Sequence, residues 1–320
     1  MELMGTDLAF AAEALRKGNL VGIPTETVYG LAANALDPAA VARIFEAKNR
    51  PAFDPLIVHV ADMAEAQKYC KHIPELAFRL AEKFSPGPLT YILPKNQLIP
   101  DLVSAGHPTI GIRIPNHPLT LALLQQLDFP LAAPSANPFG FVSPTTAQHV
   151  LDQLGGEVTY VLDGGPCQVG LESTIIDLGG EQPKVLRLGG LSVEALELAI
   201  GQRLAVQTSS SNPKAPGMLL KHYAPGVELC WEDERPQQLP AGTAFLRFQH
   251  NNPAFFENRH WLLSPSGDLA EAANRLFAVL REIDKSKPDL VLVERFPETG
   301  LGRAINDRLS RAVFSAAKAK

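Results

Sequence analysis

The sequence predicts an α/β protein built on a twisted mixed sheet, followed by a second, smaller α/β domain. Short β-branched runs alternate with segments of helical period, and the chain's 27 prolines and 24 glycines punctuate the changes between them. Near the end of the first two hundred residues, strands follow one another without an intervening helix, so the sheet is not purely parallel. A stretch rich in Ser, Pro and polar residues, VQTSSSNPKAPGMLLKHYAP, then separates this region from a further set of strands and helices. Domains are therefore expected at 1–205 and 227–320, with 206–226 as the connection.

Taken in order, Leu8, Ala11, Ala12 and Leu15 share one helical face behind Thr6 or Asp7 as cap. Gly18 closes that helix before a strand over 20–24. A second helix is expected over 38–48. Strands follow over 56–60, 89–93, 110–114, 131–133, 158–162, 173–178 and 185–188, with helices near 62–70, 74–84, 118–127, 145–154 and 192–200. Beyond the connection, strands near 227–231, 243–248 and 260–263 lead to a helix over 268–284, a strand over 289–294 and a last helix over 302–316. Gly300 and Gly302 read as a turn into that helix, because no third glycine completes a dinucleotide fingerprint.

Composition excludes several classes. With 29 basic against 34 acidic side chains the net charge is −5, which argues against a surface built as a whole to hold nucleic acid and leaves only a local basic cleft. No apolar run reaches the roughly 18 residues of a membrane helix. The start MELMGTDLAFAAEALRKG carries early acids where a signal peptide has a basic end. A cytoplasmic protein with no membrane partner is expected. Cys70, Cys167 and Cys230 are far apart and odd in number, with no CxxC pair, so neither a disulfide framework nor a zinc site is indicated. GxxxxGK[ST], GxSxG, HExxH and EF-hand patterns are absent.

Four polar clusters remain at strand ends, where open α/β sheets gather ligands. In PTETVYG, residues 24–30, the hydroxyls and Glu26 suit either a ligand or a capping turn into a short helix. Lys48 and Arg50 at the end of a proline-broken helix suit a phosphate clamp or the helix dipole. His59 alternates with apolar neighbours in its strand, as either a core or a catalytic histidine. Arg113, inside the otherwise apolar run IGIRIP, needs an anion, which is either an internal carboxylate or a ligand's. APSANP at 133–138, leading to Ser143 and a helix start, suits phosphate binding or capping. Farther on come Glu172, Ser173 and Thr174, then Arg187, and in the connection Lys221, His222 and Tyr223.

In this order the pieces PTETVYGLA, KNRP with PLIVHV, GIRIP, APSANPFG with SPT, ESTIID and RLGG resemble the YrdC-like domain of threonylcarbamoyl-AMP synthases. The connection APGMLLKHYAP and the smaller domain after it are similar to the long, two-domain form of that family. The resemblance implies a twisted YrdC-like sheet enclosing a positively charged cavity and a Rossmann-like second domain. It implies formation of L-threonylcarbamoyladenylate from L-threonine, bicarbonate or CO2, and ATP with Mg2+, releasing pyrophosphate. The product would pass to a tRNA threonylcarbamoyltransferase that modifies position 37 of tRNAs reading ANN codons. Thr27, His59, Arg113, Ala133 and Ser173 would surround threonine, with Arg113 on its carboxylate. Lys48, Arg50, Asp54, Thr109, Ser135, Asn137, Ser143, Arg187 and Tyr223 would surround ATP. Relatives often carry Asn where this chain has Asp54, and a carboxylate there would repel phosphates unless Mg2+ intervenes.

Lys48, Arg50 and His59 are the expected catalytic set, and the connection is expected to cover the site through Tyr223. Preference for threonine over serine requires an apolar contact for its methyl group, expected from Leu56, Val58 or the segment near 173. Two other readings stay open. One is an RNA-binding or translation-related factor, consistent with weak tRNA binding, and the other is a different carbamoyl-adenylate-forming enzyme.

Overall fold

The structure is a computed structural model and describes residues 3–180, 182–210, 213–218, 226–255 and 257–317. An eleven-stranded mixed sheet runs, in spatial order, through Met4–Gly5, Tyr160–Leu162, Val21–Ile23, Gly30–Asn34, Leu131–Ala132, Ile57–His59, Thr109–Arg113, Leu89–Pro94, Thr174–Asp177, Lys184–Arg187 and Ala205–Val206. Five of its pairings are parallel and five antiparallel, as the direct strand successions require.

The helices lie where local chemistry starts and stops them. Asp7 caps Leu8–Arg16 by accepting from the Phe10 N–H. Pro38–Lys48 begins with Asp37 as cap and proline in its first turn, and ends at Asn49 in the left-handed conformation, φ 51°. That ending sends Lys48 and Arg50 in different directions. Ala40, Val41 and Ile44 of the same helix enter a core shared with Leu31, Leu56 and Val58.

One segment departs from the sequence expectation. Residues 24–30 do not lead into a short helix, because Gly30–Asn34 is a buried strand with antiparallel partners on both edges. Leu31, Ala32 and Ala33 have good helix propensity, but two neighbouring strands satisfy their backbone groups and bury them completely. Among the described residues of the first domain three further short elements go unforeseen: the strand Met4–Gly5, the helix Asp101–Ser104, and the strand Ala205–Val206, which carries the first sheet into the expected connection.

The second domain is a four-stranded parallel sheet in the order Leu229–Trp231, Leu290–Val293, Thr243–Arg247, His260–Leu262. The helices Leu269–Ser286 and Leu301–Ala317 pack with it, and the apolar face of the first supplies Leu276, Phe277, Leu280 and Ile283 to the core. Val28, Val142 and Leu171 of the first domain belong to that same core. Asn274 Nδ2 donates to the carbonyls of Cys167 and Gln168 at 2.8 and 2.9 Å, and Arg281 Nη2 donates to the Val142 carbonyl at 2.6 Å.

At Gly170 the two domains approach closely. Its φ is +76°, and an added Cβ would stand 2.5 Å from the Asn274 backbone. Gly170→Ala combines a left-handed penalty with overpacking and is expected to cost about 2–4 kcal/mol. Denaturant unfolding of the full chain checks this, and an unchanged midpoint would contradict the close approach.

Candidate active site

The site forms on one face of the large sheet. Ile57–His59 and Thr109–Arg113 run parallel with His59 opposite Arg113, so strand alternation sends both side chains to the same side. Ile57 and His59 line the resulting cavity, whereas Leu56 and Val58 point to the core beneath. Leu56 and Val58, from which a methyl contact is expected, thus stand outside the cavity, whose apolar lining includes Ile57, Val28 and Ala133.

The PTETVYG segment closes one wall through a hydroxyl relay. Thr25 Oγ1 donates to the Val28 carbonyl at 2.6 Å and accepts the Thr27 N–H at 3.1 Å, forming the turn. Its oxygen is 2.7 Å from Thr27 Oγ1, which accepts from Arg113 Nη2 at 2.7 Å. The same Nη2 lies 2.9 Å from Glu26 Oε1, and both side chains are about 5% exposed. Of the two partners left open for Arg113, the internal carboxylate is present: it is Glu26, whose other oxygen accepts the Asn116 N–H at 3.0 Å. Arg113 Nε and His59 Nδ1 are nevertheless buried without a hydrogen-bond partner.

On the opposite wall, Arg187 Nε donates to the Ser173 carbonyl at 2.9 Å and Nη2 to the Ser173 hydroxyl at 3.0 Å, which lies 2.7 Å from Thr90 Oγ1. Arg187 Nη1 donates to the Pro216 carbonyl at 3.3 Å. Residues 213–218 thus strap the cavity. Ala215 and Met218 pack on Ile57, Ile92, Ile175 and Leu186, His107 Nε2 meets the Pro213 carbonyl at 3.1 Å, and Pro216 and Gly217 line the cavity. About 40 Å3 of water-accessible space is left beneath the strap.

Of the sequence-expected residues, Arg50, His59, Arg113, Ala133, Ser135 and Arg187 line this cavity. Thr27 and Ser173 stand behind it, bonded to its arginines. Lys48 does not line it. Its ammonium donates to the Ser135 carbonyl at 2.6 Å and to the Asn137 carbonyl, shaping the APSANP loop. Asp54 lies 2.9 Å from Arg50 as an ion pair behind the wall. Asn137 donates to the carbonyls of Pro138 and Phe141, and Ser143 donates to Glu172 at 2.6 Å. Thr109 lines a separate hollow with Asp177, Gly179 and Lys214. Tyr223 lies outside the described residues. Sequence reasoning does not single out Thr25, or Glu26 and Glu172 in their ion-pairing roles. For Glu26 the one available signal was that Arg113, in an apolar strand, needs an anion, which does not say which carboxylate supplies it.

Burial dominates the electrostatics. It pushes His59 down to about 3, with the Arg113 charge adding to the effect. Burial likewise holds Lys48 well below its usual range, aided by Arg50 and opposed by Asp54. It raises Asp54 despite Arg50, Lys48 and Arg187. For Glu172 burial also pushes upward, but Arg308, Arg187 and the Ser143 hydroxyl together outweigh it and hold the carboxyl low.

His59 is therefore neutral at physiological pH. Its folded value lies below the ordinary 6.5, so its contribution to stability is complete above pH 6.5 and is lost as pH falls toward about 3. Ring nitrogen shifts followed by NMR from pH 7 to 4.5 are expected to show His59 unprotonated throughout, and a midpoint near 6.5 would refute this.

The comparisons agree with this architecture. A family model described as "Telomere recombination" (Sua5, YciO, YrdC) matches residues 13–189, and one described as "Threonylcarbamoyl-AMP synthase, C-terminal domain" matches 191–313. The threonylcarbamoyl-AMP synthase of Pyrococcus abyssi is 40% identical over 317 residues, covering 95% of this chain and 93% of its own length. That of Bacillus subtilis is 38% identical over 319 residues, covering 95% and 92%. The crystal structure of P. abyssi Sua5 complexed with L-threonine superposes with a TM-score of 0.89 at 37% identity, over 99% of this chain and 98% of that one. E. coli YciO shares the first domain, with a TM-score of 0.53 at 27% identity over 59% of this chain. The relatives that cover most of this chain are named threonylcarbamoyl-AMP synthase, which does not favour the RNA-binding reading or a different carbamoyl-adenylate-forming enzyme. This chain belongs to the threonylcarbamoyl-AMP synthase family, in its two-domain form.

Proposed function

We propose that this enzyme joins L-threonine, CO2 or bicarbonate, and ATP into L-threonylcarbamoyladenylate at the Arg113–His59–Arg187 cavity, releasing pyrophosphate. The observation that carries the reading is the pair of unpartnered donors and acceptors on adjacent strands, Arg113 Nε and His59 Nδ1, beside an apolar patch. Those groups suit an amino acid with a carboxylate and a small branched side chain. The similar P. abyssi protein, solved with L-threonine, supports that substrate.

Arg113 is proposed to take the threonine carboxylate while Thr27 fixes its guanidinium plane. His59, neutral and buried, orients the substrate by hydrogen bonding and is too weak a base at neutral pH to carry off the amine's proton. The amine adds to CO2, losing a proton to solvent. A carbamate oxygen then attacks the α-phosphorus as the bond to pyrophosphate breaks. Arg187, Arg50 and the Ser135 loop are proposed to face the nucleotide, so that alignment supplies up to ~7–11 kcal/mol of the barrier reduction.

Mg2+ is proposed to arrive on the nucleotide's phosphates, where it would offset their charge. Glu26, Asp54 and Glu172, the carboxylates around the cavity, each already face an arginine and do not form a three-ligand cation site. Space of about 40 Å3 does not admit both substrates, so the strap at 213–218 must lift for entry and close to exclude water from the hydrolysable adenylate. Among the described residues no helix is long and apolar enough to cross a membrane. We place the enzyme in the cytoplasm, with a tRNA threonylcarbamoyltransferase as the consumer of its product.

Mass spectrometry of the purified chain with labelled bicarbonate, threonine and Mg-ATP is expected to show labelled threonylcarbamoyl-AMP, and its absence would sink the reading. Arg113→Ala is expected to raise the threonine KM at least tenfold, about 1.4 kcal/mol, and the ATP KM less than threefold. Equal effects on both would count against the carboxylate assignment.

A further inference from the structure

Arg308, on the last helix of the second domain, is fully buried and crosses into the first domain. Its Nε donates to Glu172 Oε2 at 3.0 Å and its Nη2 to the Leu188 carbonyl at 2.7 Å. Asp307 Oδ2 accepts from Arg308 Nη1 at 2.6 Å, and the Asp307 carboxylate is also held by Arg311, which anchors to the Thr208 carbonyl at 2.8 Å. The guanidinium is thus set from both sides before it meets Glu172.

Glu172 lines the cavity, and its second oxygen accepts from Ser143. The next residue, Ser173, holds Arg187 through its carbonyl and hydroxyl. A buried carboxylate in this wall has two cations within electrostatic reach, Arg308 behind it and Arg187 on the cavity side. If the rear cation were missing, Glu172 would either repel an incoming anion or draw the Arg187 charge to itself.

We infer that Arg308 is a positioning residue for the reaction: by neutralising Glu172 from behind the cavity wall, the second domain keeps that carboxylate from repelling the nucleotide's phosphates. The inference rests on the proposed use of this cavity for ATP. It assigns the second domain a part in substrate binding through charge, besides its packing.

The test uses the full chain and reads Mg-ATP affinity by titration calorimetry, alongside the KM values for ATP and threonine. Arg308→Met is expected to weaken ATP at least tenfold while changing the threonine KM less than threefold. Arg308→Lys, which keeps the charge, is expected to recover most of the loss. Adding Glu172→Gln to Arg308→Met removes the uncompensated anion and is expected to bring ATP affinity back to within about threefold of the parent. A purely structural role predicts no such recovery.

Unchanged ATP affinity in Arg308→Met overturns the inference. So does a loss that Glu172→Gln does not relieve in a variant whose melting temperature matches the parent. Should Arg308→Met fail to fold, the double variant decides alone: near-parental ATP affinity supports charge compensation, and a tenfold loss in the folded protein overturns it. Calorimetry keeps this result separate from the proposed function, because a chain that binds ATP and makes no threonylcarbamoyl-AMP would refute the reaction and leave the charge pairing standing.

Discussion

Charge held away from water is the constraint on which this structure depends. Glu26, Lys48, Arg50, Asp54, Arg113, Glu172 and Arg187 are each at most 8% exposed, and all line or border one small cavity. An ion left alone there would cost several kcal/mol, so every one must find an opposite charge or a set of dipoles. The partners they find come from different parts of the chain. Arg113 ties a sheet strand to the turn after Pro24, Arg187 ties the Ser173 segment to the strap, and Lys48 ties a helix end to the APSANP loop. The same pairings that make the charges tolerable also fix the walls.

This arrangement differs from a pocket lined with free cations. Arg113 and Arg50 already face carboxylates, and Lys48 is bonded to two backbone carbonyls. Without ligand the region is close to internally balanced, so an anion entering it competes for donors that are already oriented. Such preorganisation favours alignment over raw attraction, which suits a step in which a carbamate and a nucleotide triphosphate, both negatively charged, must meet. The depressed His59 fits the same scheme, since a second positive charge beside Arg113 would cost more than it returned.

Most of the scaffold was legible in the sequence because it rests on local periodicity. A helix with a polar cap such as Asp7 and strands of β-branched residues declare themselves within a window of ten residues. Gly30–Asn34 did not, because its strand character comes from partners at 21–23 and 131–132 and not from its own residues. The site was legible to the same degree. Arg113 was readable as a buried cation in need of an anion, but Glu26 lies 87 positions away and no spacing connects them. Lys48 and Arg50 looked alike at the helix end, and only the left-handed Asn49 between them explains why one turns to a carbonyl cage and the other to the cavity. Arg308 left no trace at all, since an arginine on an amphipathic helix is ordinary until its helix is docked.

The docking is what gives the second domain a share in the site. Val28, which lines the cavity, and Leu171, next to Glu172, belong to the hydrophobic core that the second domain's helices build. Gly170 permits the helix backbone at Asn274 to close within contact distance, and across the same boundary Arg308 of the last helix reaches Glu172. Apolar packing sets the distance and the ion pair uses it. A substitution at this boundary therefore acts on the shape of one wall and on the charge of the other, although it lies in residues that touch no substrate.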